Sequence, residues 1–371
     1  MKIAIISVFP PYRGGIAQFN EQLARTLVFQ GHEVLKVNFK RQYPNILFPG
    51  KSQFIEHAIH ATDTPALLDS IAPRSWKKTA KFVLSQEVDL AILPYWSGYL
   101  APALAGVMNH LKDTRITCLI HNATPHDANP LQKLMSRGFY KRGNNFIALS
   151  ESVANDLTRL APHGKVTELF HPIYDHFGAK MDPTDAKRQL NIDPAKKTLL
   201  FFGLLRPYKG LDTLLKAFKT LPNDYQLLIA GEAYERTKTY DALITDDIRS
   251  RIAWKNEFIP DEEMPMWFSA ADALVLPYKS ATQSGVTAAA LHFDIPIIAS
   301  NVGGLSEYIE QGKSGMLVER YTEPIAFQRV IEGWFRENKP RTEVSATIAE
   351  IKEKLSWPRF AERVVEGVDD M

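Results

Sequence analysis

Short apolar runs punctuate the chain, and several of the stretches between them carry apolar side chains at helical spacing. The run "KIAIIS" (2–7) is followed by Ile16, Phe19, Leu23 and Leu27, one face of a helix that Gly31 ends. Further runs follow at "EVLKVNF" (33–39), "DLAILPY" (89–95), "RITCLIH" (115–121) and "NFIALS" (145–150). Runs this short and this continuous predict strands buried on both faces, and their alternation with helices predicts a mostly parallel sheet. After "FHPIYDHFG" (170–178) the chain turns polar, and the rhythm restarts at "TLLFFG" (198–203), "YQLLIAG" (225–231), "ADALVLPY" (271–278), "IPIIAS" (295–300) and "GMLV" (315–318). The predicted class is α/β, with two Rossmann-like, doubly wound parallel-sheet domains over 1–178 and 179–356 and a linker near 172–190. Ligands of such sheets bind at the carboxyl ends of the strands, so a ligand is expected in a cleft between two facing halves.

Composition narrows the class. With 371 residues, 45% of them hydrophobic and 23% charged, the chain can fill two cores. Cys118 is the sole cysteine, so an intramolecular disulfide is excluded and a reducing cytoplasm is expected. "MKIAIISVF" is too short and lacks the cleavage pattern of a signal peptide, and no run approaches the ~20 apolar residues of a membrane span. The net charge of +2 hides an asymmetry: residues 1–178 hold 19 basic against 13 acidic side chains, and residues 179–371 hold 25 against 29. Part of the excess lies in "RSWKKTAKF" (74–82) and in Lys133, Arg137, Lys141 and Arg142, interleaved with Trp76, Phe82, Leu134 and Phe139. Such helices fit either the surface of an anionic membrane or plain solvated faces. No nucleic-acid recognition motif accompanies the charge, and no nucleic-acid partner is expected.

The loops that leave the predicted strands carry the chemistry. In "SVFPPYRGGIAQF", Gly14 and Gly15 precede a helix whose amides favour an anion, although the spacing is not that of a dinucleotide fingerprint and a tight turn accounts for it equally. In "FFGLLRPYKGLDTLLKAF", Arg206 and Lys209 bracket Pro207 and Tyr208 ahead of Gly210 and a helix. Two cations at a helix N-terminus oppose its dipole, a placement that a bound diphosphate compensates. "PYKSATQSGVTAAALHFDIPIIASNVGG" adds Gln283, Ser284 and Gly285, and puts the amides of Ser284, Gly285, Val286 and Thr287 at another helix mouth. Gly303 and Gly304 repeat the device one strand later, and three glycine-bearing or cationic loops in the second half point to a nucleotide diphosphate.

"PPYRGGI", "RPYKGLDTLLKAF", "FIPDEEMPMWFSAADALVLPY" (258–278) and "PIIASNVGGLSEYI" (296–309), in this order, resemble family 4 of the glycosyltransferases, retaining enzymes of the GT-B fold. The resemblance spans nearly the whole chain. It implies a nucleotide diphosphate sugar as co-substrate on the C-terminal domain, a saccharide or lipid-linked acceptor on the N-terminal one, and a last helix, "WPRFAERVVEGV" (357–368), that returns to the N-terminal domain. It assigns Arg206 and Lys209 to the donor diphosphate, Gly14 and Gly15 to the floor near the phosphates, backbone around Ile259 and Pro260 to the base, and His121 to the donor sugar. The family's paired glutamates are replaced by Ala281 and Ala289, and its usual arginine by Leu204, leaving Gln283, Ser284 and Thr287 as polar substitutes.

No metal or cofactor is expected, because cations and helix amides can stabilise the departing diphosphate. Trp96 and His126 are candidates for the acceptor, Trp96 being equally readable as core. The rival readings are a metal site from His121, His126 and Asp127, a nucleotide-sugar epimerase, and a sugar-nucleotide-binding protein without catalysis. A serine hydrolase at Ser284 lacks the first glycine of the nucleophile elbow. The acceptor expected from the basic helices is a lipid-linked saccharide at the inner membrane face, in polysaccharide or lipopolysaccharide synthesis.

Overall fold

The computed structural model describes residues 1–12, 14–43, 54, 64–123, 130–173, 177–233, 237–281 and 284–369. The chain divides into two compact units, Met1–Pro172 with Ser356–Met371, and Ile173–Leu355. The division falls ahead of the expected 178/179. Ile173 N donates to the Leu355 carbonyl at 3.0 Å, His292 Nε2 lies 2.7 Å from the Gly178 carbonyl, and Phe177 packs edge-on against His292, so the segment after Pro172 is tied to the second unit.

The first unit is built on β1 (Lys2–Ile6), α1 (Gly15–Phe29), β2 (Glu33–Arg41), β3 (Ala66–Asp69), α2 (Pro73–Leu84), β4 (Leu90–Tyr95), α3 (Ala101–Met108), β5 (Arg115–Ile120), α4 (Pro130–Tyr140), β6 (Asn145–Ala148), α5 (Glu151–Leu160) and β7 (Lys165–Glu168). Its seven strands are parallel, in the order β3-β2-β1-β4-β5-β6-β7. The order reverses between β1 and β4, the position where such sheets open a ligand crevice. β4 is fully buried and pairs with β5 from Leu90↔Arg115 to Tyr95↔Ile120, which explains a run with no polar alternation.

The second unit contains α6 (Pro183–Gln189), β8 (Lys197–Phe202), α7 (Leu211–Phe218), β9 (Tyr225–Ala230), α8 (Lys238–Asp241), α9 (Asp246–Arg249), β10 (Ile252–Lys255), α10 (Met264–Ser269), β11 (Ala273–Leu276), α11 (Gly285–His292), β12 (Ile297–Ser300), β13 (Gly315–Val318), α12 (Pro324–Glu337) and α13 (Arg341–Lys354). Six parallel strands run in the order β10-β9-β8-β11-β12-β13, with the reversal between β8 and β11. The last helix, α14 (Trp357–Asp369), then belongs to the first unit and packs on α1. Trp357 and Phe360 of α14 both meet Phe19 of α1 edge-on, at 4.9 and 5.6 Å between ring centres.

Candidate functional site

In the second unit the site grows from the carboxyl ends of β8 and β11. β8 hands over to Gly203 at φ 98°, Leu205 N is held by the Glu232 carbonyl at 2.9 Å, and Pro207–Lys209 form one tight helical turn. Gly210 then starts α7 in the left-handed region, φ 69°, and a Cβ there would lie 1.9 Å from the Pro277 carbonyl oxygen. Only glycine lets these two strand ends approach so closely.

That approach buries Lys209. Its side chain comes from an exposed turn, yet the residue is only 9% exposed. Its Nζ sits 5.3 Å from the centre of the Tyr278 ring and 3.1 Å from where a Cβ on Gly203 would stand. Burial lowers the Lys209 pKa, and the nearby Arg206 charge lowers it further against an opposing effect of Tyr208. Among the described residues no carboxylate pairs with it: the neighbouring Asp212 is taken by Lys279 at 3.2 Å. A desolvated ammonium facing an aromatic ring and a second cation is stabilised by an anion. Tyr278, which strand patterning singled out only as a strand end, forms the wall behind it. Burial pushes the Tyr278 phenol up to about 12, with Ser284 opposing.

α11 brings its N-terminus to the same place, with a Val286 methyl carbon 3.4 Å from the Cβ position on Gly203. Ser284 caps α11 without a side-chain bond, and Gly285 is exposed with open space above it. Thr287 corrects one expectation. Its amide, at 3.1 Å, and its hydroxyl both donate to the Ser284 carbonyl, and the residue is fully buried, because the first helical turn satisfies itself. Ala289 is fully buried and Ala281 half-buried. Ile259 is buried and Pro260 half-buried in the loop after β10, at the carboxyl edge of the same sheet. Gln283 lies outside the described residues.

In the first unit, His121 follows β5, its amide donating to the Tyr95 carbonyl at 2.9 Å. The ring is 4.7 Å from Phe19, edge-on, and 6.5 Å from His171. Burial lowers the His121 pKa to about 3, with His171 adding to it, and burial lowers that of His171 to about 4 against the bond its Nδ1 makes to the Pro172 carbonyl. Both imidazoles are therefore neutral near pH 7. His121 Nε2 is buried with no partner among the described residues, and an unsatisfied buried ring nitrogen costs stability. Phe19 and His171 face the His121 ring, and Phe19 in turn packs on Trp357 and Phe360 of α14. Helical spacing marked Phe19 as core, but nothing local in the sequence marked His171 as a neighbour of His121.

Gly14, at φ 113°, and Gly15 precede and open α1, and a Cβ on either would meet no described atom within 4 Å. Asn20 of α1 braces the preceding loop by donating to Ser7 Oγ at 2.8 Å and the Val8 carbonyl at 2.9 Å. Trp96 is half-buried against the core and its Nε1 donates to the Tyr43 hydroxyl at 3.1 Å, so it takes the core position rather than that of a free stacking platform. His126 and Asp127 lie outside the described residues, and with them two of the three members of the metal reading.

The basic helices keep their charges exposed and pack their interleaved aromatics inward. Trp76 Nε1 donates to the Asp69 carbonyl at 2.8 Å and its ring covers Gly106 of α3, while Phe139 is fully buried. The interleaved aromatics are thus core, whereas Leu131 and Leu134 of α4 are 55% and 58% exposed beside the exposed Lys133 and Arg137. No helix among the described residues is long and apolar enough to cross a membrane.

Residues 182–350, nearly all of the second unit, match the family described as Glycosyl transferases group 1. The D-inositol 3-phosphate glycosyltransferase of Pseudarthrobacter chlorophenolicus is 27% identical over 218 residues, 57% of this chain and 50% of that protein. The chain thus spans about half the length of that relative. The N-acetyl-alpha-D-glucosaminyl L-malate synthase of Bacillus anthracis is 23% identical over 334 residues, 86% of this chain and 84% of that one. Among solved structures, Anabaena HepE in complex with UDP matches at a TM-score of 0.71 and 16% identity over 100% of both chains. With the two parallel sheets, that likeness identifies the fold as GT-B.

Proposed function

We propose that this chain, which carries the group 1 glycosyltransferase sequence over residues 182–350 and the GT-B fold, moves a sugar from a nucleotide diphosphate sugar to a saccharide or lipid-linked saccharide with retention. The observation that carries the reading is the buried Lys209 ammonium, without a carboxylate among the described residues, between the ends of two strands and the mouth of α11. A diphosphate supplies the missing charge. As the anomeric carbon–oxygen bond breaks, negative charge grows on the leaving phosphate, where Lys209, Arg206 and the first amides of α11 stabilise it. The acceptor oxygen attacks from the face the phosphate is leaving, and its proton passes to that phosphate. His121, neutral, hydrogen-bonds a sugar hydroxyl rather than serving as the base. UDP, the nucleotide held by HepE, is the first to test.

Lys209→Ala is expected to weaken UDP binding and to lower kcat/KM by about 30-fold, at least ~2 kcal/mol of transition-state stabilisation, without loss of melting temperature. Near-normal turnover in this variant refutes the assignment. Alanine at positions 281 and 289 favours a second reading, donor binding without catalysis; bound UDP-sugar that is neither hydrolysed nor transferred across an acceptor panel selects it. We further propose that α4, through Leu131, Leu134, Lys133 and Arg137, rests on anionic lipid to reach a lipid-linked acceptor. Sedimentation with phosphatidylglycerol vesicles that drops in Leu131→Ser/Leu134→Ser supports this, and equal sedimentation with neutral vesicles sinks it.

A further inference from the structure

The opposite end of the second sheet holds another cavity. Lys197 opens β8, Asp272 immediately precedes β11 and Pro296 immediately precedes β12, and these three line a space of about 590 Å³. The donor loops leave the carboxyl ends of the same strands. At ~3.3 Å per residue, the six residues of β8 put roughly 20 Å between the two places, so the cavity is not an extension of the site above. Its size falls within the range of small-molecule sites.

The lining is unbalanced in charge. Six basic side chains line it with two carboxylates, Asp272 and Asp294, and two of the six are paired with carboxylates outside the lining, Lys197 with Asp224 at 3.0 Å and Lys339 with Glu337 at 3.1 Å. Each carboxylate is already shared by two cations. Asp272 accepts from Lys187 at 2.8 Å and from Arg341 at 2.7 Å, and Asp294 accepts from Lys352 at 2.9 Å and from Lys180. Each cluster therefore keeps one positive charge in excess. Lys196 adds another, having no acidic partner among the described residues. Lys187 is 5% exposed and its ammonium also donates to the Lys196 carbonyl at 2.9 Å, so it anchors Asp272, and the charge in excess at that cluster is that of the exposed Arg341. The lining also includes Phe293 and Trp334, each 6% exposed.

We propose that this cavity is a second ligand site that takes an organic phosphate monoester, a phosphorylated sugar or a nucleoside monophosphate. At neutral pH a phosphate monoester carries close to two negative charges and three acceptor oxygens, which matches the cation excess. Its organic body reaches the exposed edges of Phe293 and Trp334, which inorganic phosphate leaves uncovered. The proposal is independent of the donor reading, because none of its residues belongs to the donor loops.

Calorimetric titration of the full chain with glucose 6-phosphate, AMP, inorganic phosphate and glucose tests it. The expected result is one equivalent of at least one ester bound about tenfold more tightly than inorganic phosphate, no heat from glucose, weakening by salt, and no change under saturating UDP. Lys196→Glu, whose side chain makes no bond among the described residues, is expected to lower that affinity at least tenfold with an unchanged melting temperature; Lys339→Glu serves if it does not fold. Response to both esters assigns recognition to the phosphate, and response to one assigns it to that ester's body as well. Silence from both esters at millimolar concentration overturns the proposal. So does binding that persists in both variants, or binding that UDP displaces.

Discussion

A lysine held at 9% exposure is an expensive residue, since removing an ammonium from water disfavours its charge unless something negative is near. At Lys209 the folded pKa is lowered, so burying the residue is least favourable below that pKa and the fold recovers stability as pH rises toward the ordinary lysine value. A bound diphosphate reverses the shift. The two buried histidines have a clearer consequence in acid. With folded values near 3 and 4 against 6.5 in the unfolded chain, both are neutral in the fold, and their contribution is fully present above pH 6.5. It is lost as pH falls from 6.5 toward those values, because the unfolded chain takes up protons that the folded one refuses. At pH 5 the loss amounts to at most about 2 kcal/mol per histidine. Urea midpoints at pH 7.5 and pH 5 check this: His171→Phe is expected to narrow the gap between them, and an equal gap in both proteins refutes the assignment. Arg206 and Lys209 were legible as a pair because two cations before a helix are unusual. That Tyr278 and Gly203 enclose one of them was not, since that depends on which strand neighbours β8.

At the scale of elements, turn geometry decides the site. Gly210 holds φ 69° with Pro277 in the way of any Cβ, so Gly210→Ala is expected to cost about 2–4 kcal/mol in urea unfolding, combining a left-handed penalty with a clash. Gly285 opens α11 with free space. Gly285→Ala should leave stability unchanged or raise it by less than ~1 kcal/mol while weakening UDP, because the added methyl stands where the proposed phosphate approaches. Equal effects of the two substitutions on stability contradict this geometry. The buried strands were legible as unbroken apolar runs. β3, β7 and β10 were not, and each lies at a sheet edge with residues left half-exposed. An edge strand has one hydrogen-bonded neighbour and less surface to bury, so its sequence need not be apolar throughout.

At the scale of the molecule, α14 returns to the first unit although the second unit precedes it in the chain. Phe360 and Val364 are fully buried there, so ending the chain after Leu355 is expected to lower the melting temperature of the first unit alone. Intrinsic fluorescence from Trp76 and Trp96 of the first unit, read against Trp334 of the second, follows this through single-tryptophan variants; a common fall in both units argues against the division. Alternating apolar runs and helical faces determined the class, two parallel sheets, since a strand buried on both faces must be apolar whatever its partner. The loops that follow those strands determined which chemistry to look for. Strand order, the enclosure of Lys209 and His121, the Asp272 and Asp294 clusters and the self-satisfied turn at Thr287 came only with the tertiary structure. Except for the Thr287 turn, which is closed by Ser284 three residues before it, each is a meeting of segments far apart in the chain, and local pattern records what a segment can bury, not which distant neighbour buries it.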